Sequence, residues 1–282
     1  MTSATMSPAG SRTAPPGTYR ASRGGTLRSE LTKIRSVRST YWTLALLVLA
    51  GLAWTVADCA GTAAHWAQTP AVVRAGFDPT QASIVGLALL GQLIVVVLGT
   101  LTITSEYSTG MIRTSLTVMP RRGVVYGAKA LVLVAVTLPV AVITSFAAFF
   151  TGQYLLRGTH VTATLGQPGV LRAVLASALY VVVSGLFAFG LGAIVRSTAG
   201  ALTLAFGLLF LVPQLAKALP GDWYADVVRW LPGGDVVPVI TSTVGLNNPP
   251  HMFSAWGELA VFAGYAVILL AVGAVAFSRR DA

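Results

Sequence analysis

Apolar residues in this chain come in long unbroken runs rather than in the short, face-by-face rhythm of a water-exposed domain. Six runs stand out, at about residues 42–57, 84–104, 130–150, 171–195, 199–216 and 256–277. A helix rises 1.5 Å per residue, so about 20 apolar residues cross the roughly 30 Å hydrocarbon core of a bilayer. Its backbone groups satisfy one another within the segment, which lets each run cross on its own. The pattern predicts an all-α polytopic membrane protein with six transmembrane helices. Asp58 is expected to end the first span, leaving a loop of about twenty-five residues before the second. The fourth and fifth runs are separated only by Arg196, Ser197 and Thr198, which fits either a tight turn or one long helix. The tight turn is preferred, because an odd number of spans would carry Arg279 and Arg280 to the other side of the membrane.

Two segments outside the spans also show helical spacing. From Thr26 to Tyr41, the apolar residues Leu27, Leu31, Ile34, Val37 and Tyr41 recur with Arg28, Lys33, Arg35 and Arg38 between them. This predicts a basic amphipathic helix at the membrane surface leading into the first span, the alternative being a solvated basic stretch. Between the second and third runs, Met111, Ile112, Ser115, Leu116 and Met119 share one helical face. Glu106 is expected near the N-terminus of that short helix, and Pro120 is expected to stop it. An apolar stripe flanked by charge suits docking on a partner, or resting on the bilayer. Residues 1–25 are rich in Ser, Thr, Ala, Pro, Gly and Arg without periodicity, and predict a disordered cytoplasmic tail ahead of a single membrane domain over 26–282. About forty residues precede the first apolar run, too many for a cleavable signal.

Composition agrees with the pattern. Hydrophobic residues make up 55% of the chain and charged residues 10%, too few to cover a water-facing surface. The net charge of +10 raises the question of nucleic acid, but seven of the nineteen basic residues lie before the first apolar run, most of the others sit at helix ends, and no aromatic-interleaved basic domain exists, so nucleic-acid binding is not expected. The positive-inside rule sorts the Lys and Arg residues consistently with six spans. Fourteen fall inside: seven before the first span, Arg113, Arg121, Arg122 and Lys129 in the second connection, and Arg196, Arg279 and Arg280. Arg74, Arg157, Arg172, Lys217 and Arg229 fall outside. A multi-pass protein of the cytoplasmic (cell) membrane with both termini cytoplasmic is predicted.

Candidate chemistry is sparse. The single cysteine, Cys59, reads as a small residue near a helix end, and His65, His160 and His251 lack metal-ligand spacing. No phosphate-binding glycine loop, metalloprotease helix or nucleophile elbow occurs, so no catalytic, cofactor-binding or metal site is expected and the chain is not expected to be an enzyme. Ionisable residues are almost absent from the spans, which weakens an ion-coupled mechanism. Gln92 is the polar exception at the middle of the second span, followed by Thr100 and Thr102. It bonds across a helix interface or lines a transport pathway. Gly185, Ala188, Gly190 and Gly192 suit close helix approach. Residues 217–255 interleave Trp223, Tyr224, Trp230 and Leu231 with Asp222, Asp226 and Arg229, which suits an outer interfacial segment or a plain loop.

Glu106-Tyr107, Gly110, Arg113, Leu116, Pro120-Arg121 and Lys129, together with the basic helix before the first span, resemble the type 2 ABC transporter permeases, particularly the actinobacterial exporter group. The resemblance covers nearly the whole chain in architecture. It implies a permease whose N-terminal connecting helix (Leu27, Leu31, Lys33, Ile34, Arg35) and cytoplasmic coupling helix (Glu106, Tyr107, Gly110, Met111, Ile112, Arg113, Leu116, Pro120, Arg121) touch a separate nucleotide-binding ATPase subunit. ATP and Mg would lie on that partner, and no cofactor would be bound by this chain. It also implies a dimer with a second copy or a homologous permease, and an outer re-entrant or interfacial segment before the last span. There the family's Leu-Pro-x-x-Ala-Gly-like element is replaced by Leu231-Pro232-Gly233-Gly234-Asp235. The alternatives are an ATP-independent membrane transporter and a non-transporting membrane anchor. Apolar spans without fixed charges fit a lipid-like, peptide or hydrophobic drug cargo better than a small ion.

Overall fold

A computed structural model describes residues 32, 38–108, 122–218, 227, 228, 230–233, 236–243 and 253–279. Every regular element among them is helical. In chain order these are α1 (Arg38–His65), α2 (Ala71–Ala75), α3 (Pro79–Ser108), α4 (Arg122–Leu155), α5 (Val170–Val195), α6 (Thr198–Phe206), α7 (Val212–Ala216), α8 (Val236–Thr241) and α9 (Ala255–Arg279). A π-helical turn, Gly207–Leu211, joins α6 to α7. Six helical stretches are long and apolar enough to cross a membrane: Arg38–Gln68, Pro79–Tyr107, Arg122–Thr159, Val170–Val195, Thr198–Ala216 and Ala255–Arg279. The chain is an all-α, multi-pass membrane protein.

Each predicted span is present, and most run longer than their apolar cores. Asp58 does not end the first one. It lies about twenty residues beyond Arg38, some 30 Å along the axis, where a carboxylate meets the membrane surface and need not break a helix. The residues after it are small, and Thr55 and Cys59 pack on α3: Thr55 Oγ1 donates to the Ser83 carbonyl at 2.7 Å, and Cys59 Sγ lies 3.9 Å from Ser83 Oγ. The expected long loop therefore shrinks to residues 66–78, a 3-10 turn followed by α2.

The bundle is built around α5, the most enclosed span, and α3 beside it. Both run in the same direction, and glycines let their backbones touch. A Cβ at Gly99 would collide with the Gly185 carbonyl, and one at Gly185 or Gly192 would meet Val95 at 2.6 Å or Ile103 at 2.8 Å. On its other side, Gly190 lies against the backbone of Leu269 and Leu270 in α9. Close approach of this kind is what small residues provide where lipid removes the hydrophobic drive between helices.

Arg196 and Ser197 make the tight turn between the fourth and fifth spans. Arg196 takes a left-handed conformation (φ 59°), its N–H donating to the Gly192 carbonyl at 2.9 Å, and Ser197 Oγ caps α6 by accepting from Gly200 N at 3.4 Å. Further along, Pro213 has no N–H for the Leu209 carbonyl, and the helix loosens into its π-turn just before it. Gly233, at φ 80°, brings its backbone against that same carbonyl, where a Cβ would stand 2.5 Å from the oxygen. The glycine in the Leu231-Pro232-Gly233 stretch thus seats this connection on the irregular part of the fifth span.

Candidate functional site

Helix directions alternate along the chain, so the starts of α1, α4 and α6 and the ends of α3, α5 and α9 share one face of the bundle. Glu106 lies in the last turn of α3 rather than at a helix N-terminus. A carboxylate there opposes the helix dipole and must be neutralised by something else. Lys129, in the second turn-pair of α4, does so: its Nζ donates to Glu106 Oε1 at 2.5 Å, with both residues more than nine-tenths buried. Both residues belong to the connection expected between the second and third spans, and the helices extend far enough to include them. The pair ties together the two roots from which residues 109–121 depart and return.

Tyr107 follows on the next position of α3 and reaches a different neighbour. The Arg196 guanidinium lies 5.1 Å above its ring centre, and Arg196 also donates to the Ala276 carbonyl of α9 at 3.2 Å. Tyr107 meets the Phe277 ring edge-on at 6.4 Å, and Tyr126 of α4 packs at 5.6 Å from Phe277 and 5.0 Å from Phe189 of α5. Thr198 Oγ1 donates to Thr104 Oγ1 at 2.9 Å, fastening the start of α6 to α3. At the Glu106 end, then, five spans converge on one ion pair and a small aromatic group.

Midway along α3, Gln92 is 1% exposed and faces α5, beside the fully buried Tyr180. Gln92 Nε2 and the Tyr180 hydroxyl make no hydrogen bond of standard geometry. Gln92 is thus enclosed between α3 and α5 in the single chain.

The opposite end is organised by Asp78. Its Oδ1 accepts from Thr80 N (2.9 Å) and Gln81 N (3.0 Å), capping α3, and also from Thr243 Oγ1 (3.0 Å). Its Oδ2 accepts from Ser242 Oγ at 3.2 Å and from Thr243 N. Arg172 of α5 donates to the Ser242 carbonyl at 2.6 Å and to that of Ile240 at 3.5 Å, and Gln81 Nε2 to the Pro238 carbonyl at 3.3 Å. These bonds hold α8, whose Val236, Val237, Val239, Ile240 and Thr241 are buried against α3, α5 and α9. Residues Val236–Thr241 of the connection before the last span thus form a packed short helix. Beside it an open groove of about 430 Å³ is lined by Asp58, Phe77, Asp78, Gln81 and Val85.

Of the coupling, connecting and pathway residues expected from the sequence, Glu106, Tyr107 and Gln92 fall in described segments, and the first two are brought together with Lys129 and Arg196. Gly110, Met111, Ile112, Arg113, Leu116, Pro120 and Arg121 lie outside the described residues, as do Leu27, Leu31, Lys33, Ile34, Arg35 and the N-terminal tail. Arg196, Tyr126, Phe277, Asp78 and Arg172 were not anticipated in these roles. Asp78 carried a signal: Asp followed by Pro and Thr is an N-cap with proline at the first helical position. Among the described residues no group of three or more His, Cys, Asp or Glu side chains is placed to hold a metal ion. In comparisons with known proteins, the chain matches no protein-family model and no curated sequence.

Proposed function

We propose that this chain is the membrane-spanning permease subunit of an ABC exporter, driven by ATP and Mg bound on a separate nucleotide-binding subunit. The observation that carries this reading is the buried Glu106–Lys129 pair at the roots of the 109–121 connection. A flexible connection on frayed helix ends would dissipate a push. One whose roots are pinned to each other passes it to α3 and α4 as a rigid-body displacement, the usual form of such transitions. The Gly99–Gly185 contact then passes it to α5.

The wider pattern of this chain agrees. Residues before Arg38 and residues 109–121 attach to the same end of the bundle, and they hold most of the cations that the positive-inside rule assigns to the cytosol. In this reading both termini are cytoplasmic, the membrane is the cell membrane, and Arg113, Arg121 and Arg122 pair with acidic groups of the ATPase. Two permeases, identical or homologous, form the transport path, and the cargo is apolar or amphipathic. The packed α8 closes the outer side.

The test is substrate-stimulated ATP hydrolysis by the reconstituted complex carrying Gly110→Pro or Arg113→Glu. Loss of stimulation with normal assembly is expected; intact stimulation in both variants would exclude the assignment.

A further inference from the structure

Arg196 occupies a position that its backbone does not favour. At φ 59° it ends α5 in the left-handed region, where glycine is the usual residue and side chains persist only when their surroundings hold them. The side chain is accordingly held. Its guanidinium lies 5.1 Å over the Tyr107 ring, within cation–π range, and donates to the Ala276 carbonyl at 3.2 Å. Tyr107 itself is in the last turn of α3, one residue past Glu106 and directly before residues 109–121. The turn between α5 and α6 is thus linked through one side chain to the root of the 109–121 connection on one side and to α9 on the other.

We infer that Arg196 is a positioning residue that yokes the turn between the fourth and fifth spans to the end of α3, so that displacement of α3 at Tyr107 moves α6 and α9 with it. The Glu106–Lys129 pair hands motion to α4, whereas this contact, beside the Thr198–Thr104 hydrogen bond, hands it to the two spans beyond the α3–α5 seam. The yoke's use in transport rests on the proposed permease function, but its existence does not.

The geometry supplies a discriminating variant. Arg196→Gly removes the yoke while relieving the backbone, so the turn should form and the melting temperature should hold. Tyr107→Leu removes the ring face, and Tyr107→Phe keeps it. In a Cys59→Ala background, spin labels at Leu101 of α3 and Ala199 of α6 report the distance between the two elements in lipid nanodiscs. The unaltered chain and Tyr107→Phe should give one narrow distribution. Arg196→Gly and Tyr107→Leu should each raise the displaced population about fivefold, the factor an ordinary cation–π contact supplies, and combining them should add nothing. A distribution in Arg196→Gly identical to the parent overturns the yoke. In the complex with its ATPase, ATP should leave this distance fixed in the parent and change it in Arg196→Gly, with less transport per ATP hydrolysed at an unchanged hydrolysis rate. A displaced distribution without any loss of transport per ATP would overturn the transmitting role. Failure of any ATPase to assemble with the unaltered chain would instead count against the permease reading, the nanodisc distances still deciding the yoke.

Discussion

The two ends of the bundle are held by different means. At the Asp78 end, many moderate hydrogen bonds share the load: one carboxylate caps α3 and gathers residues 242 and 243, while Arg172 and Gln81 hold the carbonyls around them. At the Glu106 end, five spans meet around one buried ion pair and one arginine on an aromatic ring, with a threonine pair and a small aromatic group beside them. A distributed network resists any one perturbation, whereas an end that leans on a few charged contacts lets a local displacement be passed on or released. In the proposed permease, this contrast would suit a bundle held fixed at one end and pushed at the other.

Lys129→Met should have the largest effect of the substitutions that probe this contrast. It strands a buried carboxylate, at a cost of about 3–5 kcal/mol, and Glu106→Gln in the same chain should recover most of it. Thermal unfolding of the purified single and double variants reads both outcomes. Next comes Gly99→Leu, which drives a side chain into the Gly185 backbone and should cost about 3 kcal/mol without favouring either end. Its melting curve should fall, while hydrogen exchange rises at both ends alike. Asp78→Ala should cost about 2 kcal/mol through the lost cap and the stranded donors. Faster exchange should then be confined to the first turn of α3 and to Ser242 and Thr243, leaving Lys129 and its neighbours protected. Smallest is Thr55→Val, which removes one interhelical hydrogen bond to Ser83, worth about 0.6 kcal/mol in membrane proteins.

How much of this was legible in the sequence follows from the range of each interaction. The six spans were, because membrane crossing needs a long apolar run and nothing else in a chain looks like one. Their ends were not, since a helix continues through small residues such as Ala60–Ala64 once past the hydrocarbon, and Asp58 interrupts nothing there. The cap at Asp78 was written locally and passed over because apolarity, not capping, set the boundary at residue 84. Tight packing at Gly185, Gly190 and Gly192 was foreseeable from residue size alone. By contrast, the Glu106–Lys129 pair spans 23 positions and depends on the hairpin of α3 and α4. Arg196 over Tyr107 depends on three helices meeting. The run Val236–Thr241 is rich in β-branched residues and contains Pro238, which reads poorly as a helix. It is helical because neighbours bury every residue of it but Pro238, and that proline sits in the first turn, where a missing N–H does no harm.

The central claim is that the Glu106 end faces the cytosol, where an ATPase can grip it, and the Asp78 end faces outward. Single cysteines at Arg113 and Val73, placed in intact cells lacking Cys59 and treated with a membrane-impermeant thiol reagent, test it most directly. Val73→Cys should label at once and Arg113→Cys only after the membrane is opened; the reverse order would contradict the account.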